Sequence, residues 1–142
     1  MRILVIEDDP TVGQYVKRGL EEHRCAVDLT TDGEEGERRA SSEAYDLIIL
    51  DMRLPTKSGM EVLRSLRAKG FRVCLDDFGA GANSFHYLRS FEVDFIKIDG
   101  AFAHAALRDP RDRILLRTIA GFCREIGVAA IVEMVEDEET AL

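Results

Sequence analysis

Acidic residues stand directly after short apolar runs at several points along the chain. Glu7 and Asp8 follow RILVI (2–6), Asp51 follows DLIIL (46–50), Asp76 and Asp77 follow the run that ends at Leu75, Lys97 lies near the end of VDFIKI (93–98) with Asp99 following it, and Glu133 follows 128–132. If the runs are parallel strands, these groups collect at the carboxyl ends of a sheet, where open parallel sheets place their sites. Carboxylates gathered there form an oxygen-only donor set, the kind that suits Mg²⁺, and an aspartate among them is a nucleophile for phosphorus. A plainer role competes with this one. An acid after a strand also caps the next helix and favours its dipole, and Asp9 before Pro10 is expected to do only that.

The elements that must carry these residues follow from a strict alternation of short apolar runs with helical periodicity, the pattern of a parallel sheet covered by helices. The spacing predicts strands at 2–6, 25–30, 46–50, 71–75, 93–98 and 128–132. Helices are predicted after Asp9-Pro10, over about 33–43 and 58–69, around Phe85 to Leu88, and after Asp109-Pro110. In the last of these Ile114, Leu115, Thr118, Ile119, Phe122 and Ile126 form one broad apolar face.

Length and charge narrow the function. A chain of 142 residues suits one domain that buries roughly 70% of its unfolded surface. A net charge of −8 opposes binding to nucleic acid or an anionic membrane, since phosphate contacts would be repulsive. Cys25, Cys74 and Cys123 sit among apolar residues at irregular spacing, as buried thiols of a reducing compartment do. Glu7, Asp8 and Asp9 interrupt the first apolar run, so neither a signal peptide nor a membrane span is expected and the expected location is the cytoplasm.

Glu7-Asp8, Asp51-Met52-Arg53-Leu54-Pro55 and Ser58-Gly59 resemble the motifs of the response-regulator receiver domain, a flavodoxin-like fold. The resemblance implies that Asp51 accepts a phosphoryl group from a histidine kinase or a small phosphodonor. It also implies that Asp8, Asp51 and the Arg53 carbonyl hold Mg²⁺, with Glu7 and Asp8 as the acidic pair. The family further uses a Ser or Thr after its fourth strand and a Lys after its fifth. Here Asp76-Asp77 follow the fourth strand, and Lys97 falls about one residue early for the lysine, on the wrong face unless a bulge intervenes.

Leu75-Asp76-Asp77-Phe78-Gly79-Ala80-Gly81, Lys97-Ile98-Asp99 and Glu133-Met134-Val135-Glu136 resemble, in order, the DDFGTG, KID and EGVE motifs of EAL-type cyclic-di-GMP phosphodiesterases, which are β/α barrels. That resemblance implies metal-ligand ancestry for Asp76, Asp77, Asp99 and Glu133 and a water-positioning role for Lys97. The Glu-Ala-Leu element itself and other ligands of the family are absent, so hydrolysis is not expected; a two-metal site needs its whole donor set.

Residues 1–68 therefore read as receiver-derived and 69–142 as EAL-derived, with a seam near 60–70 inside a helix and no linker. Natural fusions usually join whole domains through exposed flexible segments, so a seam within an element points to an engineered or recombinant chimera without evolved catalytic activity. Such a chimera keeps an acidic Mg²⁺ pocket and Asp51 as a vestigial acceptor; the alternative is a phosphorelay receiver module phosphorylated on Asp51. The expected architecture is a single α/β domain: a flavodoxin-like, three-layer open parallel sheet of order 2-1-3-4-5 with a sixth strand added at the edge. The expected assembly is a monomer or an edge-mediated homodimer. In such a sheet Asp8, Asp51, Asp76 and Asp77 would share one edge.

Overall fold

In the computed structural model residues 1–79 and 84–133 are described. No helix among them is long and apolar enough to cross a membrane. The chain divides into two compact units, Met1–Phe71 and Arg72–Leu142.

The first unit is built around β1 (Arg2–Ile6), whose Ile3, Leu4, Val5 and Ile6 are all buried. A run with no exposed side belongs in the middle of a parallel sheet, and β1 lies between β2 (Ala26–Thr30) and β3 (Leu47–Leu50), parallel to both. Ile3 and Val5 pack on one face with Val27, Val16 and Leu20, the last two from α1 (Pro10–Glu22). Leu4 and Ile6 pack on the other face with Ala40 of α2 (Gly33–Ser42) and with Val62 and Leu66 of α3 (Gly59–Ala68). The result is three layers, helix, sheet and helices.

Each helix starts where its cap residue dictates. Asp9 accepts from the amides of Thr11 and Val12 ahead of Pro10, Asp32 accepts from Glu35, and Ser58 forms a reciprocal capping box with Glu61.

The second unit contains β4 (Cys74–Phe78), α4 (Ser84–Ser90), β5 (Phe95–Ile98), α5 (Gly100–Arg108), α6 (Pro110–Glu125) and β6 (Ala129–Val132). Its sheet is parallel with order β4-β5-β6. On β5, Ile96 and Ile98 are fully buried while Phe95 and Lys97 are half-buried, the period-two division of a strand with one covered face. Ala103, Ala106, Leu116, Ile119 and Cys123 supply further buried groups from α5 and α6.

Five sequence expectations change. The continuous order 2-1-3-4-5 with an added sixth strand is replaced by two three-stranded sheets, because β4 pairs with β5 and not with β3. Apolar runs specify strands but not their neighbours. Strand four begins at Cys74 rather than residue 71, since Val73 is held by the turn before β5. Its amide donates to Asp94 Oδ2 at 2.7 Å and its carbonyl accepts from Asp94 and Phe95. The helix α5 was not predicted. Its buried positions are Gly100, Ala103 and Ala106, too small to write an apolar stripe. Finally, α6 buries Leu116, Ile119 and Cys123 and leaves Ile114, Leu115, Phe122 and Ile126 exposed, so the predicted face was displaced toward solvent. Cys74 is likewise exposed, on the edge strand β4.

Candidate functional site

The ends of β1 and β3 determine the first cluster. Ile6 pairs with Leu50, so the residues that follow, Glu7 and Asp51, leave the sheet side by side. Their backbones are fixed: Glu7 N donates to Thr30 O at 3.0 Å and Asp51 N to Ile6 O at 2.9 Å. Glu7, Asp8 and Asp51 bring carboxylate oxygens to within 4.8 Å of one another. Glu7 and Asp51 are half-buried and Asp8 is exposed, so the group is solvent-accessible but rigidly rooted.

The loop after β3 is shaped around Asp51. The Arg53 amide donates to Asp51 Oδ2 at 3.2 Å, and Thr56, at a φ of 60°, donates its hydroxyl to Asp32 Oδ2 at 2.6 Å. Gly59 opens α3 so close to this loop that a Cβ would lie 2.2 Å from Asp51 O and 2.5 Å from Met52 Cα. Only glycine fits. Sequence reading singled out Asp51 but passed over Gly59 as a packing constraint and the Ser58–Glu61 box. The S-x-x-E spacing was the available signal for the box.

Other acids of this unit are matched to donors. Asp28 takes Arg2 and the Tyr45 hydroxyl, Glu35 takes Arg38 and Arg39, and Glu37 takes Lys57 and Ser65. These partners hold all three carboxyls below the usual carboxylate range, against a counteracting penalty from burial that for Asp28 is the largest single influence. Glu7, Asp8 and Asp51 join no ion pair among the described residues; Glu7 and Asp51 accept backbone amides, from Asp9 and Arg53.

The second cluster is built on a bulge. Leu75 pairs with Ile96 and Phe78 with Ile98, so Asp76 and Asp77 stand opposite the single residue Lys97. Asp77 absorbs the extra residue at a φ of 52°. On the other side of β5, Ile98 pairs with Val132, which brings Glu133 to the same end. Asp76, Asp77 and Glu133 lie within 4.8 Å of one another by their carboxylate oxygens. Lys97 Nζ reaches between strands to Asp76 Oδ1 at 2.8 Å and Glu133 Oε1 at 2.5 Å. The hydrogen bonds that the ammonium donates to these two acids, Asp76 first, hold the lysine well above its ordinary pKa.

The structure thus joins Glu7, Asp8 and Asp51 in one group and Asp76, Asp77, Lys97 and Glu133 in another. Asp99 stands apart. Its side chain accepts from the Phe102 amide at 3.0 Å as the cap of α5, and Lys97 binds Asp76 and Glu133 instead. Gly81 and Met134–Glu136 of the sequence motifs lie outside the described residues.

Two acid clusters, each on its own parallel sheet, match two families. The chain belongs to the response regulator receiver family over residues 3–75 and to the EAL domain family over residues 47–142. Both matches include residues 47–75, the stretch from β3 into β4, which brackets the seam expected near 60–70.

The cyclic di-GMP phosphodiesterase PdeB of Shewanella oneidensis is 43% identical over 81 residues, covering 57% of this chain and 10% of that protein. The transcriptional activator IrlR of Burkholderia pseudomallei is 48% identical over 67 residues, 47% of this chain and 29% of that protein. The chain therefore spans under a third of either relative. Among solved structures, the response regulator TrrA of Thermotoga maritima, in complex with Mg²⁺ and BeF, is 32% identical with a TM-score of 0.57 over 69% of this chain and 85% of TrrA.

Proposed function

We propose that the receiver unit is a Mg²⁺-dependent phosphoryl acceptor, fused by engineering to an EAL unit that has no turnover of its own. The observation that supports this reading most is the convergence of Glu7, Asp8 and Asp51 within 4.8 Å at the carboxyl end of β1 and β3, with no side-chain cation among the described residues bound to any of them.

The donor chemistry fits Mg²⁺. Hard carboxylate oxygens are present, the group faces water that would complete an octahedron, and free oxygens remain beyond the amide bonds from Asp9 and Arg53. Asp8, Asp51 and the Arg53 carbonyl would hold the ion, which supplies charge neutralisation to the phosphoryl oxygens when bound.

Asp51 then acts as nucleophile. One carboxylate oxygen forms a bond to phosphorus while the bond from phosphorus to the donor's leaving atom breaks, and the leaving group departs with that electron pair. With acetyl phosphate the leaving group is acetate; with a kinase it is the histidine imidazole. A histidine kinase fits as the natural donor, and TrrA has been solved with the histidine kinase ThkA. The receiver family's hydroxyl and lysine are missing from the unit, so transfer is expected to be slow.

Intact mass after incubation with acetyl phosphate and Mg²⁺ tests the proposal. One added phosphoryl group, absent in Asp51→Asn and after chelation, is the expected result. No adduct, or an adduct that survives Asp51→Asn, would overturn it.

The likeness to PdeB gives a second reading, binding or hydrolysis of cyclic di-GMP by the EAL unit. Titration calorimetry with that nucleotide and Mn²⁺ is expected to show no heat, because Asp76, Asp77 and Glu133 are a partial donor set with Lys97 bound among them.

A further inference from the structure

We propose that Lys97 is the resident cation of the second acid cluster and closes it to divalent ions, so that of the two acid clusters among the described residues Glu7, Asp8 and Asp51 take up metal and the other does not. The EAL family implies a metal at Asp76, Asp77 and Glu133. In this chain the residues present do not fit one. The inference concerns the EAL unit and stands whether or not Asp51 accepts a phosphoryl group.

The geometry of β5 carries the argument. It is the middle strand of its sheet, so a side chain leaving it at position 97 has an acid on each flank, Asp76 beyond the bulge of β4 and Glu133 beyond the end of β6. The Lys97 ammonium lies 2.8 Å from one and 2.5 Å from the other. Those are charge-assisted hydrogen-bond lengths, and they place a positive charge between two of the three candidate donors.

A divalent ion sharing these oxygens would sit within a few ångströms of the ammonium, where like charges repel strongly even with solvent screening. The alternative is to expel the ammonium and lose both bonds. Asp76 is further engaged on its own Oδ1, which also accepts the Asp77 amide at 3.0 Å. Asp77, held in a left-handed backbone by the bulge, is the one carboxylate of the three that the ammonium does not bind among the described residues.

The contrast with the first unit is direct. There Lys57 is held on Glu37, and Arg2, at the far end of β1, on Asp28 and Glu43. No comparable cation reaches Glu7, Asp8 or Asp51 among the described residues.

Paramagnetic broadening of amide resonances by Mn²⁺ in the wild-type chain reads both clusters at once. Selective loss of signals around Glu7, Asp8 and Asp51, with Asp76, Asp77 and Glu133 still sharp at the same Mn²⁺, is the expected result. Broadening of both sets at the same Mn²⁺ concentration would overturn the proposal. If neither set broadens, the metal-dependent reading of the first unit fails while the closed second cluster stands.

A second arm uses the Asp51→Asn chain, in which only the second cluster could respond. It should be silent to Mn²⁺, become responsive when Lys97→Met is added, and stay silent with Lys97→Arg. A double variant with Lys97→Met that remains folded by circular dichroism and silent counts against Lys97 as the closing group; if it loses its fold, the wild-type broadening pattern decides alone.

Discussion

Two trios of carboxylates sit at the carboxyl ends of two three-stranded parallel sheets, and they differ in one respect. The trio of Glu7, Asp8 and Asp51 has no side-chain cation among the described residues, whereas the trio of Asp76, Asp77 and Glu133 encloses Lys97. Residue types and location are nearly the same, so neither decides what a cluster does. What decides is whether the central strand of the sheet contributes a charge of opposite sign. β1, between two neighbours, is followed by Glu7, which adds a like charge; β5, also between two neighbours, carries Lys97 and neutralises. One site is thereby open to an external cation and the other is filled from within.

The largest effect is expected where the first trio is shaped. Gly59→Ala forces a Cβ to within 2.2 Å of Asp51 O, and main chain cannot yield as a flexible side chain can. A loss of about 2–3 kcal/mol of stability is expected. Hydrogen exchange of the β1 and β3 amides measures it, and the Mn²⁺ response at Asp51 should vanish with it. Unchanged exchange would show that the loop is not built on the close approach of α3.

The next two predictions have opposite signs, which tests the comparison directly. Asp51→Asn removes one of three like charges held within 4.8 Å, and the amide oxygen can still accept from Arg53. In chelator the variant should be more stable than wild type by about 1 kcal/mol, the scale of one screened repulsion. Added Mg²⁺ should reverse the order, because an ion that binds only the native wild-type site stabilises it. Lys97→Met does the contrary in the second unit. It strips two acids of their shared cation and should cost about 1 kcal/mol, a modest figure because Lys97, Asp76 and Glu133 are all partly exposed. Urea melts in chelator, followed by amides of each unit, check both. Two changes of the same sign would mean that the clusters are electrostatically alike after all.

How far the sequence foretold this contrast depends on what kind of information a residue carries. Asp9-Pro10 and Asp109-Pro110 start helices where expected because the cap acts within three residues. Ile3 to Ile6 declared a strand buried on both faces. Sheet partners were another matter, since β4 contains nothing that prefers β5 to β3 until Asp94 engages Val73 across the turn. Glu7, Asp8 and Asp51 were recognisable because each directly follows its strand. The partners of Lys97 were not, because they depend on a one-residue bulge at Asp76-Asp77 that the apolar pattern does not record. Asp99 looked like a ligand for the same reason that it caps α5: both roles put an acid after a strand.

The smallest prediction asks whether the first trio lacks a cation because the unit is short of them or because they are committed elsewhere. Glu35 on α2 is bonded by Arg38 Nε at 2.7 Å and by Arg39 Nε at 2.7 Å, and these bonds, Arg38's first, draw its carboxyl down from 4.5 to about 2. A folded-state pKa below the unfolded value means that the stabilisation is complete above about pH 4.5 and is lost as pH falls toward 2. The stability difference between wild type and Glu35→Gln should therefore be constant above that range and close below it. Because Arg38 is largely exposed, 0.5 M salt should shrink the difference. A carbon-detected titration of the Glu35 carboxyl is the direct measurement. A midpoint near 4.5 would mean that Arg38 and Arg39 are free in solution, and two arginines would then be available to the acids of the same unit. A midpoint near 2 fixes Arg38 and Arg39 on Glu35 and removes these two from the cations that could reach Glu7, Asp8 and Asp51.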